Sequence, residues 1–495
     1  MPTLITLSLL GCSNAFFGRG EEPNVTPLDT GYEADADTDA DADTDTDTDT
    51  DIDPDQTDDD GDGLSEEEGD CDDTDADVSP DAEEIPYDGV DNDCDEETVD
   101  DDLDGDGYGI EDDCDDDNFD IHPDSVELFG DEQDNDCDGE VDEPFETEVA
   151  DTCDCGAPSA IGVDSTGQAH IAYANSDDGH VWYTNVTTGG SWGSTKDIAP
   201  FSLAGEWLDL AVDGADRVQV AYSWQGSGYR QVEFTYRDSV GTWSSYYVVD
   251  DRYESGSNNI GAFVSIDTDS NNMPSIAYYD DDGAYGWFGT GNGVPVLADY
   301  TSLGVDYAVY TMLDEHFLGD SGYYTDVVVN SNDYPMVAYT DFGADEVQFA
   351  SPMEGTVTET VYGDPGYDVS IAKKSDDTPC VAFQSANTAD LMYGCRVGSE
   401  NWDIETVESS GSVGAGASLA FDGYDNPWIA YYNESSGNLK VSYHDGESWE
   451  TWTVDGEDRN AGAYPSLAIA KDGTVHISYY DVTYGRLMYA RSTAR

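Results

Sequence analysis

The sequence predicts an all-β protein: a seven-bladed β-propeller of four-stranded blades, preceded by a small irregular, disulfide-linked, Ca²⁺-binding acidic module and a disordered tether. Three observations predict it. Beyond residue 145 a two-strand phrase ending in an aromatic recurs seven times, at steps of 44 to 61 residues. Residues 21–150 hold sixty Asp and Glu and not one Lys or Arg. Within that stretch one Cys-centred unit is written twice, and Cys71 to Cys94 and Cys114 to Cys137 span the same 23 residues.

A chain of 495 residues has room for two or three domains. The net charge of −97 is unevenly spread, since residues past 150 carry 52 acidic and 14 basic side chains. Such a balance excludes nucleic acid, whose phosphates would be repelled, and adsorption to anionic lipid head groups.

The expected order begins with a lipoprotein-type signal over 1–12. Leu9-Leu10-Gly11-Cys12 resembles a bacterial lipobox, in which the Cys is lipidated and becomes the new N-terminus. That resemblance implies a lipid anchor on Cys12 at the outer membrane or cell surface; a plain secretory start is the alternative. No other apolar run approaches the length of a bilayer span, so membrane contact is expected through the anchor alone. Residues 13–57 follow as a tether. Their Asp–Ala and Asp–Thr alternation has period two but no apolar face, and self-repulsion keeps such a low-complexity segment extended.

Two acidic repeats are expected over 58–143. Each opens on a ladder, Asp58, Asp60, Asp62 and Asp102, Asp104, Asp106, followed by Gly63 or Gly107. Alternate residues supply oxygens and the Gly permits the turn that wraps them around a calcium ion. The bidentate Glu of an EF-hand at position twelve is missing, so these are not EF-hands. Each ladder runs into a Cys-centred cluster instead: Asp70, Cys71, Asp72, Asp73, Asp75, and Asp113, Cys114, Asp115, Asp116. A second cluster closes each unit: Asp91, Asp93, Cys94, Asp95, and Asp134, Asp136, Cys137, Asp138. Carboxylates this dense repel one another unless a divalent cation sits among them.

With Cys12 set aside, eight cysteines remain, an even number suited to an oxidising compartment. Spacing pairs Cys71 with Cys94, Cys114 with Cys137, and Cys380 with Cys395 across a hairpin turning near Asn387. Cys153 and Cys155 are left for each other or for a metal.

The repeats resemble the MopE-type metal-binding motif of bacterial surface proteins: D-x-D-G-D-G, D-C-D-D, P-x-x-x-E, then D-N-D-C-D-G. Both units match nearly throughout, with Pro80 and Glu84 in one and Pro123 and Glu127 in the other. The resemblance implies that Glu84 and Glu127 join the ligand set, and the family name implies copper. This region has one His, His122, and no Met, so its own donor chemistry points to Ca²⁺.

The propeller is expected over 145–495. Its phrases end at Tyr173, Tyr222, Tyr278, Tyr339, Phe383, Tyr431 and Tyr479, residues expected to pack between blades. A Gly-x-Ser/Thr-Trp-type turn recurs at Trp192, Trp243 and Trp449. The seventh copy stops after three strands at Met488–Ala490, and Phe145–Val149 lies where a fourth is needed, so the N-terminal strand is expected to close the ring. Seven blades is the expectation, with six or eight as alternatives.

The turns resemble those of BNR or sialidase-like propellers, but the Ser and Asp of the Asp-box are out of register and no arginine triad is recognisable. No H-E-x-x-H or P-loop occurs. His170 and His476 hold equivalent strand positions and read as packed. The expectation is therefore an exported, calcium-binding, cell-surface lipoprotein whose propeller is a binding or adhesion module for an unknown protein or glycan, with no catalytic residues. The alternatives are a glycan-active hydrolase or lyase on the propeller face, and a purely structural envelope protein.

Overall fold

In the computed structural model the chain forms two compact units, Met1–Ser79 and Pro80–Arg495. The structure describes residues 57–82, 85, 87, 89–94, 102–110, 112–119, 121–123, 125, 133–135, 137 and 145–492, the last range apart from 201–203, 226–229, 239, 251–259, 281–292, 302–308, 314–320, 353–355, 399–400 and 457–458. The expected lipidation site at Cys12, the tether, and the expected ligands Glu84, Asp95, Glu127, Asp136 and Asp138 lie outside the described residues.

In the first unit, the described part is a chain of turns around one 3-10 turn, Glu66–Glu68, ended by Gly69 at φ 107°. Its few buried groups are Ser65, Asp70, Asp73, Val78 and Ser79. Four of those five are polar, so apolar burial cannot hold this segment together.

The second unit contains a propeller of seven four-stranded antiparallel sheets. The strands are β1 (Phe145–Asp151), β2 (Cys155–Val163), β3 (Ala169–Asn175), β4 (His180–Val186), β5 (Lys196–Ala199), β6 (Ala204–Val212), β7 (Val218–Gln225), β8 (Arg230–Arg237), β9 (Tyr247–Asp250), β10 (Ile260–Thr268), β11 (Pro274–Asp280), β12 (Val294–Asp299), β13 (Val309–Met312) and β14 (Ser321–Val329). They continue as β15 (Pro335–Asp341), β16 (Glu346–Ser351), β17 (Thr356–Tyr362), β18 (Gly366–Lys373), β19 (Pro379–Ser385), β20 (Leu391–Gly398), β21 (Asn401–Glu408), β22 (Val413–Phe421), β23 (Pro427–Asn433), β24 (Asn438–His444), β25 (Trp449–Asp455), β26 (Ala461–Ile469), β27 (Val475–Asp481) and β28 (Arg486–Ser492). Six blades are sequential quartets starting at β2, and the seventh is ordered β1-β28-β27-β26.

Ring closure is thus by the N-terminal strand, as expected, and its register sets Phe145 opposite Ser492, Glu146 opposite Arg491 and Val149 opposite Met488. The second strand of each blade is buried on both faces, which explains why its phrase reads as a nearly continuous apolar run. All seven phrase-ending aromatics are fully buried. His170 and His476 are also buried, each with Nδ1 against a tyrosine hydroxyl, Tyr183 at 2.7 Å and Tyr489 at 2.6 Å. Burial lowers the pKa of both, that of His476 to about 4, so they are neutral packing groups.

Each of the seven innermost strands carries a register shift, and each shift ends at or one residue before an equivalent position, which is Ser or Asp in six blades (Asp209, Ser265, Asp326, Ser370, Ser418 and Ser466) and Ala160 in the first. These residues form a belt. At six junctions the belt side chain accepts a backbone N–H from the inner strand of the next blade. The donors are Ile266 to Asp209 (2.9 Å), Val327 to Ser265 (3.2 Å), Ile371 to Asp326 (2.8 Å), Leu419 to Ser370 (3.2 Å), Leu467 to Ser418 (3.0 Å) and Ile161 to Ser466 (3.1 Å). A second belt joins the turns after the inner strands, where Ser165, Ser270, Ser331 and Ser375 bond Asp216, Asp333, Asp377 and Asp425 of the following blade.

Candidate metal sites and the propeller channel

The two acidic repeats fold their ladders in the same way. Asp58 Oδ1 accepts Gly61 N–H at 2.6 Å, Asp60 Oδ1 accepts Asp62 N–H at 3.0 Å, and Asp62 Oδ1 accepts Leu64 N–H at 2.8 Å. In the second copy Asp102 takes Gly105 (2.7 Å), Asp104 takes Asp106 (3.2 Å) and Asp106 takes Tyr108 (2.8 Å). Gly63 and Gly107 end the ladders at φ 112° and 99°, a conformation that needs glycine. Beyond the ladder, Asp70 and Asp113 cap the amides of Asp72 and Asp115, both at 2.9 Å. Asp73 and Asp116 reach back to the amides of Asp59 (3.1 Å) and Leu103 (3.4 Å).

Except at Asp102, whose Oδ2 also accepts the Gly107 N–H at 2.8 Å, one oxygen of each carboxylate therefore shapes the loop. The other is left over: the buried Oδ2 atoms of Asp60, Asp70, Asp104, Asp106, Asp113 and Asp116 have no hydrogen-bond partner. Carboxylate oxygens of Asp58, Asp60 and Asp62, of Asp60, Asp70 and Asp73, and of Asp102, Asp104 and Asp106 lie within 4.8 Å of one another in each group. Desolvation, with neighbouring carboxylates adding to it, raises the pKa of Asp60 and Asp104. A bound cation would reverse that penalty and occupy the orphaned oxygens.

The expected ligands do not all converge. Asp72, Asp75 and Asp115 are exposed and belong to none of these groups, and neither do Asp91, Asp93 and Asp134. The sulfurs are not available as ligands. Cys114 and Cys137 are disulfide-bonded with Cα atoms 5.5 Å apart, and Cys71 and Cys94 are also in disulfide linkage. Cys153 and Cys155, left open by the sequence, are bonded to each other. His122 stacks on Tyr108 with ring centroids 5.1 Å apart, and no His joins a carboxylate group among the described residues. The donor set is oxygen alone.

The propeller's central channel is a further concave feature. It opens a cavity of about 230 Å³ among the starts of the inner strands, lined by Asp209, Phe263, Asp326, Tyr324, Asp368 and Tyr464 among others. Ser265 Oγ lies 3.0 Å from Asp209 Oδ2 and 2.6 Å from Asp326 Oδ1, and it also accepts the Val327 N–H. One hydroxyl proton cannot serve two carboxylates, so the second contact requires a proton on one of the acids. Burial, reinforced by Asp326, pushes Asp209 up to about 7, and burial raises Asp326 as well. Sequence reasoning missed this belt. Its trace was present, a Ser or Asp directly before an apolar residue in the inner strand of six blades, as in Ser265-Ile266 and Asp209-Leu210.

Comparison with known proteins follows the same division. The family model Cu-binding MopE, described as "Putative metal-binding motif", matches residues 70–102 and 113–143. Both acidic repeats are therefore similar to this motif. Among solved structures, a Hadza microbial sialidase is 12% identical over 66% of this chain and 73% of its own, with a TM-score of 0.44. The intramolecular trans-sialidase of Ruminococcus gnavus is 11% identical over 68% of this chain and 93% of its own, with a TM-score of 0.39. An ulvan lyase is 13% identical over 70% of this chain and 97% of its own, with a TM-score of 0.44. No curated protein matches the sequence.

Proposed function

We propose that this is an exported, calcium-binding protein of the cell surface, lipid-anchored through Cys12, whose propeller is a binding module rather than a catalyst. The observation that carries the metal reading is the repeated set of orphaned, buried carboxylate oxygens at Asp60, Asp70, Asp104, Asp106, Asp113 and Asp116. Hard oxygen donors in such numbers suit Ca²⁺; copper prefers imidazole or thioether ligands, which these groups do not supply. Glu84 and Asp95 in the first repeat and Glu127, Asp136 and Asp138 in the second are proposed as further ligands. The ion's role is structural, because a segment with so small an apolar core needs a staple.

Export is supported by the oxidised cysteines, which suit an extracytoplasmic compartment. The binding reading is supported by the channel. Its carboxylates are engaged by backbone amides and serines, and no Arg or Lys lines the cavity to hold an anionic sugar. A glycan-active enzyme is the second reading, favoured by the Asp209–Ser265–Asp326 arrangement, in which one carboxyl holds a proton near neutrality. Equilibrium dialysis of the full-length protein against Ca²⁺ and Cu²⁺ tests the metal assignment. Saturable Ca²⁺ binding lost on Asp70→Asn and Asp113→Asn is expected; selective Cu²⁺ uptake would overturn it. Release of new reducing ends from a glycan panel would establish the enzyme reading instead.

A further inference from the structure

The channel mouth contains a feature that the metal-binding reading does not use. At the register shifts of four inner strands, non-glycine residues stand in the left-handed region: Phe263 (φ 52°), Tyr324 (φ 53°), Asp368 (φ 50°) and Tyr464 (φ 54°). Left-handed backbone is disfavoured for any residue with a Cβ, and Gly416 occupies the equivalent place in the sixth blade at φ 63°. All of these residues line the cavity. Three blades thus aim an aromatic ring at the channel and one aims a carboxylate.

Two of the rings, Phe263 and Tyr324, belong to a continuous wall. Phe263 lies 4.6 Å from Tyr324 and 5.5 Å from Trp207 between ring centroids, and Tyr324 lies 5.9 Å from Tyr367. Beside this wall the cavity presents Asp209, Asp326 and Asp368, with no Lys or Arg among its lining residues. Asp368 Oδ2 accepts the Gly416 N–H at 2.8 Å. Aromatic faces are negative and carboxylates are more so; together they attract a cation and repel an anion, most strongly where water is thinned out.

We propose that the mouth of the channel binds the ammonium head group of a small organic cation, against the faces of Phe263, Tyr324 and Tyr464, with Asp368 as counter-charge. A cavity of about 230 Å³ is smaller than most ligand pockets, so it admits a head group rather than a chain of sugar rings. The same electrostatics exclude uronates and other anionic sugars. This inference rests on the reading of the propeller as a binding module and names the class of ligand.

The test is calorimetry on the full-length, Ca²⁺-saturated protein with choline, ethanolamine and glucuronate, at physiological salt to screen adsorption to the acidic repeats. One saturable site for choline, ethanolamine or both is expected, and none for glucuronate; the two amines separate a quaternary from a primary ammonium. Tyr324→Ala and Asp368→Asn should each weaken binding about tenfold. Asp376→Asn, on an exposed turn, should leave it unchanged. Asp368→Asn keeps an oxygen for the Gly416 amide, so it remains informative if Tyr324→Ala does not fold. Amine binding that survives Asp368→Asn, or failure of both amines, overturns the proposal. Binding of glucuronate or a neutral oligosaccharide in their place would sink this ligand class while leaving the binding-module reading intact.

Discussion

Tyr479 Oη donates to Asp455 Oδ2 at 2.6 Å, tying the second strand of the last blade to the end of the fourth strand of the blade before it. The same relation joins Tyr173 to Asp151 at 2.7 Å, Tyr278 to Asp250 at 2.6 Å, and Tyr431 to Glu408. In the fifth blade both partners change together: Phe383 has no hydroxyl, and it meets the ring of Tyr362 at 5.5 Å where these four junctions place an acid. The phrase-ending aromatic is thus a clasp between blades, polar in some and apolar in another.

Removing one hydroxyl should be costly out of proportion to its size. A hydrogen bond to a buried charged acceptor contributes about 1.5–3 kcal/mol. Tyr278→Phe should therefore lower the unfolding free energy of the propeller by about that amount, read as an earlier midpoint in urea with an unchanged slope. Phe383→Tyr should gain nothing, because Tyr362 gives the new hydroxyl no carboxylate. A neutral Tyr278→Phe would show that the clasp is packing alone.

The Cys380–Cys395 disulfide pairs residues directly opposite on β19 and β20, with Cα atoms 4.0 Å apart. It closes a loop of about 15 residues, for which the chain-entropy argument gives about 3 kcal/mol. Replacing both cysteines by Ser should lower stability by up to that amount and leave the other blades folded. Alkylation of the oxidised, denatured protein should find neither thiol free.

Much of this architecture was legible because the sequence states it repeatedly. Seven copies of one phrase give blade number and order, and the three-strand final copy points to Phe145–Val149 as its missing partner. The Cys380–Cys395 register follows from a hairpin whose turn is local. The Ser and Asp belt was not legible for a specific reason. Ile266 meets Asp209 across a blade junction, some 57 residues along the chain, and no local pattern records which strand end lies beside which. The same holds for the aromatic wall, where Trp207, Phe263, Tyr324 and Tyr367 come from four blades. In the acidic repeats, spacing marked every carboxylate equally. Only the fold separates Asp70 and Asp113, buried with an unused oxygen, from Asp72 and Asp115, which face solvent.

The protonated belt gives the propeller an unusual pH dependence. Burial raises Asp209 to about 7 and Asp267 to about 6, from an ordinary value of 3.8. The folded state then holds protons that the unfolded chain releases, so stability from these groups is fully present below about pH 4 and falls as pH rises. The loss should level off above about pH 7, once Asp209 has ionised in the fold. His476, lowered to about 4, acts with the opposite sign, its contribution falling as pH drops from 6.5 towards 4. Asp209→Asn isolates the first effect: with its oxygen in the Oδ2 place it can still accept the Ile266 amide and the Ser265 hydroxyl, while its NH₂ takes the place of the Oδ1 that accepts the Leu210 N–H. Thermal melts from pH 4 to 8 should show a shallower decline for the variant than for the parent. Parallel curves would mean that Asp209 is ionised throughout that range.

Ring closure by β1 makes the sharpest demand on the fold. Six residue pairs join β1 to β28, and Arg491 reaches Glu146 at 2.5 Å. Trp192 Nε1 also donates to Glu148 Oε2 at 2.7 Å, binding β1 to the first blade as well as the last. A chain starting at residue 140 keeps all of these contacts, whereas one starting at 156 loses β1 and both Cys153 and Cys155. The second should expose the unpaired edge of β28, an open template for another strand. Its expected behaviour is aggregation on size-exclusion chromatography and an early, irreversible melt, against a monomeric, cooperative 140–495 fragment. Equal solubility and equal melting of the two would mean that the ring closes without its N-terminal strand.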